Sequence, residues 1–550
     1  MENLQNFIEK FENTMVECWD SPALNDYGHD SITYGELARE IAMLHLIWKK
    51  AGLNEGDKVA LNAASSAAWA KVFMAAMTGK YVSCQLFNGF TPQDTQKLTV
   101  HSDSRILYTE KGIFDKMDVT AMPDLVAIFD TKTQELLFAR NGFEEIYNNR
   151  EQLFAQAYPE GYGKKDLKHC GRSIEDTCCI MYTSGSTGFP KGVMISAKNI
   201  SMNIWAAPQY FPFRRGENYL SVLPYAHIFG LTIDMIMCLS TGLHLTVLGL
   251  PPIPQILKKA LCEVRPHVCM MVPLILEKMT EYVIGDFIHT PKSVAKLENY
   301  KENQDFCDAL RTIFISAMGG NLEVMATGGA PLRPELESLL AEKIEFPLVT
   351  GYGMTECAPL IALGLKGDYK LKSCGYVTPE MQAKIQSSDP ENIAGELWVK
   401  GDYVFQGYYK NPAADKEVFT EDGWFRTGDL GTLDKEGHLF LVGRCKSMLL
   451  SSNGQNVFPE EIEAVLNAKP YIAESILVQR ENQFIALIVP NADLAVSNNL
   501  DSASLQEIIR QGIESTNKEI PAYSQISKYE IMEQPFAKTP KGSIKRFLYS

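Results

Sequence analysis

A chain of 550 residues exceeds what one hydrophobic core usually serves, so two or more domains are expected, and a ribbon or a disulfide-stapled miniature is excluded. Apolar residues at 45% and charged residues at 22% are globular values, with no low-complexity tract or short-period repeat. The 52 basic and 67 acidic residues leave a net charge of −15, which favours solubility and argues against a non-specific nucleic-acid binder.

The opening segment, MENLQNFIEKFENTM, carries acids where a secretory signal has a basic start and an apolar run, so a cytoplasmic location is expected. Twelve scattered cysteines include one adjacent pair, Cys178-Cys179, with no CxxC-type partner. Neither a zinc site nor a disulfide framework is signalled, and a reducing compartment fits. From Ser31 to about Leu250, helical periods such as TYGELAREIAMLHLIWKKAGL alternate with short apolar runs such as KVALNA and RILYTE, the rhythm of parallel α/β structure. The most apolar stretch, Ile228 to Leu250, is broken by Asp234 and His244 and predicts buried core in place of a membrane span. From Gly375 to Leu441, short strands divided by Gly and Asp turns, as in AGELWVKGDYVFQGYY and DKEGHLFLVGR, predict a β-rich barrel or sheet. A third style begins near Arg444. There FPEEIEAVLNAK predicts a helix, with Pro459 suited to the first turn and acids at the positive end of the dipole. Strands ESILVQR and QFIALIVP and helix LQEIIRQGIESTN complete a small α+β domain. The expected division is residues 1–443 and 444–550.

The strongest chemical signal is YTSGSTGFPKGV, Tyr182 to Val193, directly after the apolar run CCIM. Its glycines let a backbone wrap an oxyanion with N–H groups pointing inward, its Ser and Thr hydroxyls add donors, and Lys191 supplies a point charge. Pro190 precedes Lys191, so the GxxxxGK[ST] spacing of nucleotide triphosphatases is absent. The loop resembles instead the signature of the adenylate-forming superfamily, which spans acyl-CoA synthetases, luciferases and peptide-synthetase adenylation domains. Further motifs of that family follow in order, from ITYGEL at Ile32 to the end of the chain.

What the resemblance implies is specific by position. Thr183, Ser184, Gly185, Ser186, Thr187 and Gly188 would hold phosphate, with Lys191 beside them. LPYAHIFG places His227 where the family's histidine gates the acyl pocket. MATGGAPL resembles the segment that approaches adenine and the acyl chain, through Gly329, Ala330 and Pro331. In TGYGMTE, Gly351, Tyr352 and Gly353 would meet the adenine, Thr355 a phosphate, and Glu356 the magnesium ion, which prefers hard oxygen ligands. WFRTGDLG puts Asp429 at the ribose hydroxyls, since a carboxylate accepts two donors side by side. Arg444 would face the nucleotide, Lys446 stands at the hinge position, and Gly454 lies in the segment that meets the pantetheine arm when the small domain rotates.

The ending KTPKGSIKR departs from the pattern. Aligning Lys538-Thr539 and Gly542 leaves Ser543 where the family's lysine bridges carboxylate and α-phosphate. Losing one such donor typically costs ~10²–10³ in rate. If the segment is extended, Lys541 and Lys545 flank Ser543 on its own face at roughly 7 Å, near enough to stand in. The other readings are slow adenylation without that lysine, or an acyl-nucleotide binder that does not adenylate. A milder departure is ISAKN, where Ala197 occupies a place often held by histidine.

The resemblance implies two α/β subdomains plus a β-barrel, with a mobile α+β C-terminal domain. It also implies ATP, Mg²⁺ and coenzyme A, and conversion of a carboxylic acid through acyl-AMP to a thioester. LPYAHIFG and the segment from Leu274 to Gly320 look most like long-chain fatty acid–CoA ligases, so a medium- or long-chain fatty acid is expected. Loading of an acyl-carrier protein is the alternative, and amino-acid adenylation the third. Peripheral membrane contact is compatible with a fatty-acid enzyme, although no amphipathic basic anchor is evident.

Overall fold

The first strongly periodic segment becomes the helix Tyr34–Lys50, and its start is closed reciprocally. The Thr33 hydroxyl accepts from the Glu36 N–H at 3.1 Å, while the Glu36 carboxylate accepts from the Thr33 N–H at 2.7 Å. Lys49 and Lys50 occupy the negative end of the dipole. The computed structural model describes residues 4–183, 190–450, 456–480, 483–539 and 544–549. These divide into two compact units, Met1–Gln382 with Lys400–Phe419, and Ala383–Val399 with Thr420–Ser550.

In the first unit, KVALNA and RILYTE form strands Lys58–Asn62 and Ser104–Thr109 of an eight-stranded sheet. Its centre is parallel, as the alternating pattern predicts, from Thr177–Thr183 through Val82–Leu86, Lys58–Asn62 and Ser104–Thr109 to Ala127–Asp130. Beyond Thr177–Thr183 the sheet turns antiparallel with Lys191–Ser196 and then the short Gly407–Tyr408. A four-stranded sheet combines Asn218–Ser221, His244–Val247, Pro22–Asp26 and Ile32–Thr33. A third set starts with parallel strands Val268–Met271, Val324–Gly328 and Leu348–Gly353, then continues antiparallel through Leu360–Leu363 and Ser373–Val377. Helices Pro254–Val264, Pro273–Ile288 and Gln304–Ala317 bury Leu257, Leu276 and Phe314 in one apolar cluster with Met325 and Leu348 of those strands.

The segment from Ile228 to Leu248 is largely core, as expected, and Leu250 is exposed. It forms a wide helical turn Gly230–Ile236, helix Met237–Thr241 and strand His244–Val247. Among the described residues no helix is long and apolar enough to cross a membrane.

In the second unit, strands His438–Arg444, Phe425–Leu433, Gly395–Lys400 and Gln382–Gln386 run side by side in that order. The β-rich segment is therefore a sheet, and among the described residues no closed barrel forms. The small α+β arrangement follows the sequence closely, with helix Pro459–Asn467, strands Ile472–Arg480 and Gln483–Pro490, and helix Ser502–Glu519. Ile462, Leu466, Leu477, Ile488, Ile509 and Ile513 close its core. Near the chain end Lys538 pairs antiparallel with Ile544. Arg546 grips the buried Glu463 carboxylate with two guanidinium nitrogens, one at 2.7 Å.

Candidate functional site

Parallel strands present their carboxyl ends together, and ligands of open α/β sheets bind there. Val324–Gly328 and Leu348–Gly353 end side by side, with Thr327 opposite Thr350 and Gly328 opposite Gly351. A Cβ on Gly328 would stand 2.8 Å from the Gly351 carbonyl, and Gly329 adopts φ +84°, so both glycines are required by the backbone. The chain can therefore leave Gly328 abruptly and carry Gly329, Ala330 and Pro331, all exposed, past the strand end.

Against these strand ends lies a narrow slot of about 40 Å³. Gly329, Gly351, Tyr352 and Gly353 line it from the strands, and His227 and Phe229 from LPYAHIFG. Three motifs separated in sequence thus meet at one place. The His227 Nδ1 accepts from the Phe229 N–H at 3.3 Å, and its ring meets Phe87 edge-on. LPYAHIFG is itself held by Asp234, a fully buried carboxylate. Asp234 accepts from the Ser221 hydroxyl at 2.6 Å, from the Val222 and Leu223 N–H groups at 3.1 Å, and from the Tyr219 hydroxyl. Burial pushes its carboxyl up to about 6 against the pull of those donors. The sequence marks Asp234 only as an interruption of an apolar stretch, yet it ties the motif's entry to the helical turn that follows.

After Gly353 the chain folds back so tightly that a Cβ there would meet the Pro359 carbonyl oxygen at 2.2 Å. The resulting turn carries Thr355 and Glu356, both buried. Its supports come from helix Ala197–Ala206, which follows the Lys191 strand. The buried Asn203 amide donates to the Cys357 carbonyl at 3.2 Å and accepts from the Leu360 N–H at 3.0 Å. One helical turn earlier, Asn199 donates to the Asp402 and Val404 carbonyls, each at 2.9 Å, and so fixes the approach to FQGYY. Neither asparagine stands out in sequence, because each sits within an ordinary helical pattern.

Thr183 and Lys191 face each other across the antiparallel strands that bracket the signature loop. The Lys191 ammonium lies 4.9 Å from the centre of the Tyr408 ring, and the Tyr408 hydroxyl donates to Glu356 at 3.0 Å. Burial and the adjoining Glu356 hold the Tyr408 phenol far above its ordinary range, so it remains a donor. Glu356 offers a hard carboxylate oxygen with the Thr355 hydroxyl next to it in sequence. Magnesium takes one or two protein oxygens and completes its shell with phosphates and water, so this donor set fits it.

In the second unit Asp429 sits opposite Arg444 across paired strands, and the two form an ion pair at 3.0 Å. Asp429 is buried, whereas the Arg444 side chain is exposed. Lys446 is exposed in the turn that follows. Lys545 lies beside the Lys538–Ile544 pair, its N–H donating to the Ala537 carbonyl at 2.8 Å. Ser184, Gly185, Ser186, Thr187, Gly188, Gly454, Lys541 and Ser543 lie outside the described residues.

The family model described as AMP-binding enzyme matches residues 11–409, and that of the AMP-binding enzyme C-terminal domain matches 446–549. A long-chain-fatty-acid–CoA ligase, FadD15 of Mycobacterium bovis, is 25% identical over 94% of this chain and 90% of its own. The 4-coumarate–CoA ligase 1 of Arabidopsis thaliana is 28% identical over 90% of this chain and 83% of its own. The crystal structure of ATP-bound MatB from Rhodopseudomonas palustris superimposes with a TM-score of 0.75 at 20% identity, covering 98% of both chains, which establishes the shared fold.

Proposed function

The chain belongs to the AMP-binding enzyme family, and from that premise we propose that it activates a medium- or long-chain fatty acid with ATP and transfers the acyl group to coenzyme A. It is an acid–CoA ligase of the AMP-forming type. In the first step a carboxylate oxygen attacks the α-phosphorus of ATP and pyrophosphate leaves. In the second the thiol sulfur attacks the acyl carbon and AMP leaves. The observation that carries the reading is the convergence of LPYAHIFG, MATGGAPL and TGYGMTE on one slot.

Each residue has a task that its chemistry suits. Thr183 and the loop through Gly188 cradle phosphate, and Lys191 adds positive charge where two anions must approach. Tyr352 lies along the adenine, with Gly329, Ala330, Pro331, Gly351 and Gly353 permitting close backbone approach. Thr355 donates to phosphate and Glu356 holds magnesium, which supplies charge neutralisation to the phosphates when bound. Asp429 accepts the ribose hydroxyls, with Arg444 alongside. Residues 444–550 act as the mobile domain, with Lys446 as hinge and Gly454 near the pantetheine arm. His227 gates the acyl site.

The test is ATP–pyrophosphate exchange with purified protein, Mg²⁺ and a ladder of fatty acids, with aromatic and amino acids alongside because of the coumarate-ligase relative. Fatty-acid-dependent exchange followed by acyl-CoA formation is expected. Exchange only with aromatic acids would overturn the fatty-acid assignment, and transfer only to an acyl-carrier protein would overturn coenzyme A as acceptor. ATP binding without exchange for any acid would leave a binding role.

Ser543 leaves the bridging charge to Lys541 or Lys545. Lys541→Ala or Lys545→Ala is expected to cut exchange by ~10²-fold, the usual cost of one transition-state donor. If both variants exchange at the parent rate, neither lysine has taken over that role.

A further inference from the structure

FQGYY reads in sequence as a strand end, and the functional assignment above gives it no task. Its position is unusual. Tyr408 lies directly opposite Val193 in an antiparallel pair, and Gly407 opposite Met194. Residues opposite each other project to the same face, and so do residues two apart along one strand. Lys191, two before Val193, is therefore a diagonal neighbour on the Tyr408 face, within reach of an aromatic ring. This register is what sets the ammonium 4.9 Å from the ring centre.

The other side of the residue is fixed as firmly. The Tyr408 N–H donates to Asp415 at 2.7 Å, and the Phe405 N–H donates to the Glu356 carbonyl at 2.8 Å. Phe405 packs edge-on against the Tyr408 ring. Only 6% of Tyr408 is exposed, so the phenol has little freedom and its hydroxyl meets Glu356 at 3.0 Å.

We infer that Tyr408 is a positioning residue that holds the Lys191 ammonium and the Glu356 carboxylate on opposite parts of one neutral side chain, keeping both charges available for Mg-ATP. The inference rests on the reading of Lys191 and Glu356 as nucleotide-site groups. A lysine and a glutamate converging on one buried site attract strongly and would neutralise each other as an ion pair. Among the described residues no such pair joins them. The ring face receives the cation through its quadrupole, and the phenol O–H donates to the carboxylate, so neither charge is cancelled.

The decisive experiment is calorimetric titration of ATP, with Mg²⁺ and with EDTA, into the full chain and its Tyr408→Phe, Glu356→Gln, double-substituted and Tyr409→Phe forms. Tyr409 is the control, because its hydroxyl makes a comparable 2.6 Å bond to Asp103. Tyr408→Phe is expected to weaken Mg-dependent ATP binding about ten- to a hundredfold, the range for one hydrogen bond to a charged group. It leaves the EDTA titration and the melting temperature nearly unchanged, and adding Glu356→Gln costs much less than it does alone. Tyr409→Phe keeps parent affinity. Parent-like Mg-ATP binding by Tyr408→Phe, or strictly additive effects of the two substitutions, overturns the inference, as does equal loss with EDTA. A parent chain that binds Mg-ATP yet catalyses no exchange would sink the adenylation reading alone, with the Tyr408 comparison still decided by the titrations. A parent chain that binds no ATP refutes both.

Discussion

Replacing Lys191 with methionine is expected to lower the rate of acid-dependent ATP–pyrophosphate exchange by roughly 10²–10³-fold, the usual cost of removing one charged donor from a polar transition state. Two anions must approach for the acyl–phosphate bond to form, and Lys191 stands at the exit of the loop whose composition suits phosphate. Among the described residues the ammonium meets the face of Tyr408. Such a contact contributes about 0.5–2 kcal/mol, so the substitution is expected to move the melting temperature by only a few degrees. Lys191→Arg keeps the charge but replaces a compact ammonium with a planar fork, and is expected to fall between the two. Steady-state exchange at saturating ATP separates the cases. A methionine variant within threefold of the parent would remove Lys191 from the chemistry.

The second large effect concerns stability. Asp234→Ala is expected to destabilise the chain by about 3–5 kcal/mol, because it strands the Tyr219 and Ser221 hydroxyls and the Val222 and Leu223 N–H groups in the core. Asp234→Asn can keep an oxygen toward Ser221, Val222 and Leu223 and turn its amide toward the Tyr219 oxygen, so a cost nearer 1 kcal/mol is expected. The two differ in pH dependence from the parent. Burial raises the Asp234 carboxyl from 3.8 to about 6, so the folded chain binds this proton more tightly than the unfolded chain. The associated stability is full below about pH 4 and is lost as pH rises through 6, by roughly 3 kcal/mol. The asparagine variant lacks that titration. Its stability relative to the parent is therefore expected to rise between pH 4.5 and pH 7.5 in urea unfolding, and a constant difference would show that Asp234 does not titrate there.

Local pattern carried much of this protein. The 3.6-residue period and the Thr33–Glu36 cap mark helix Tyr34–Lys50, and Pro459 with its following acids marks helix Pro459–Asn467. Apolar runs bounded by Gly and Asp mark the strands, since propensity and burial act over a few neighbouring residues. One expectation changed with the tertiary structure. Among the described residues the β-rich segment runs as a sheet in place of a barrel. Closure depends on which strand finds which partner, and a strand's own residues do not encode that choice.

The same distinction holds at the site. Motif glycines announce themselves because the backbone tolerates nothing larger at Gly328 and Gly353, and Lys191, His227 and Glu356 each sit inside a motif of this kind. The residues that hold them in place are scattered and chemically ordinary: Asn199 and Asn203 on a helix, Asp234 within an apolar stretch, Tyr408 at a strand end. Sequence by itself determined the family chemistry and the local elements, through residue types at fixed spacings. Only the tertiary structure decided that Tyr408 stands between Lys191 and Glu356, because that contact exists through strand register and burial, which join segments far apart along the chain.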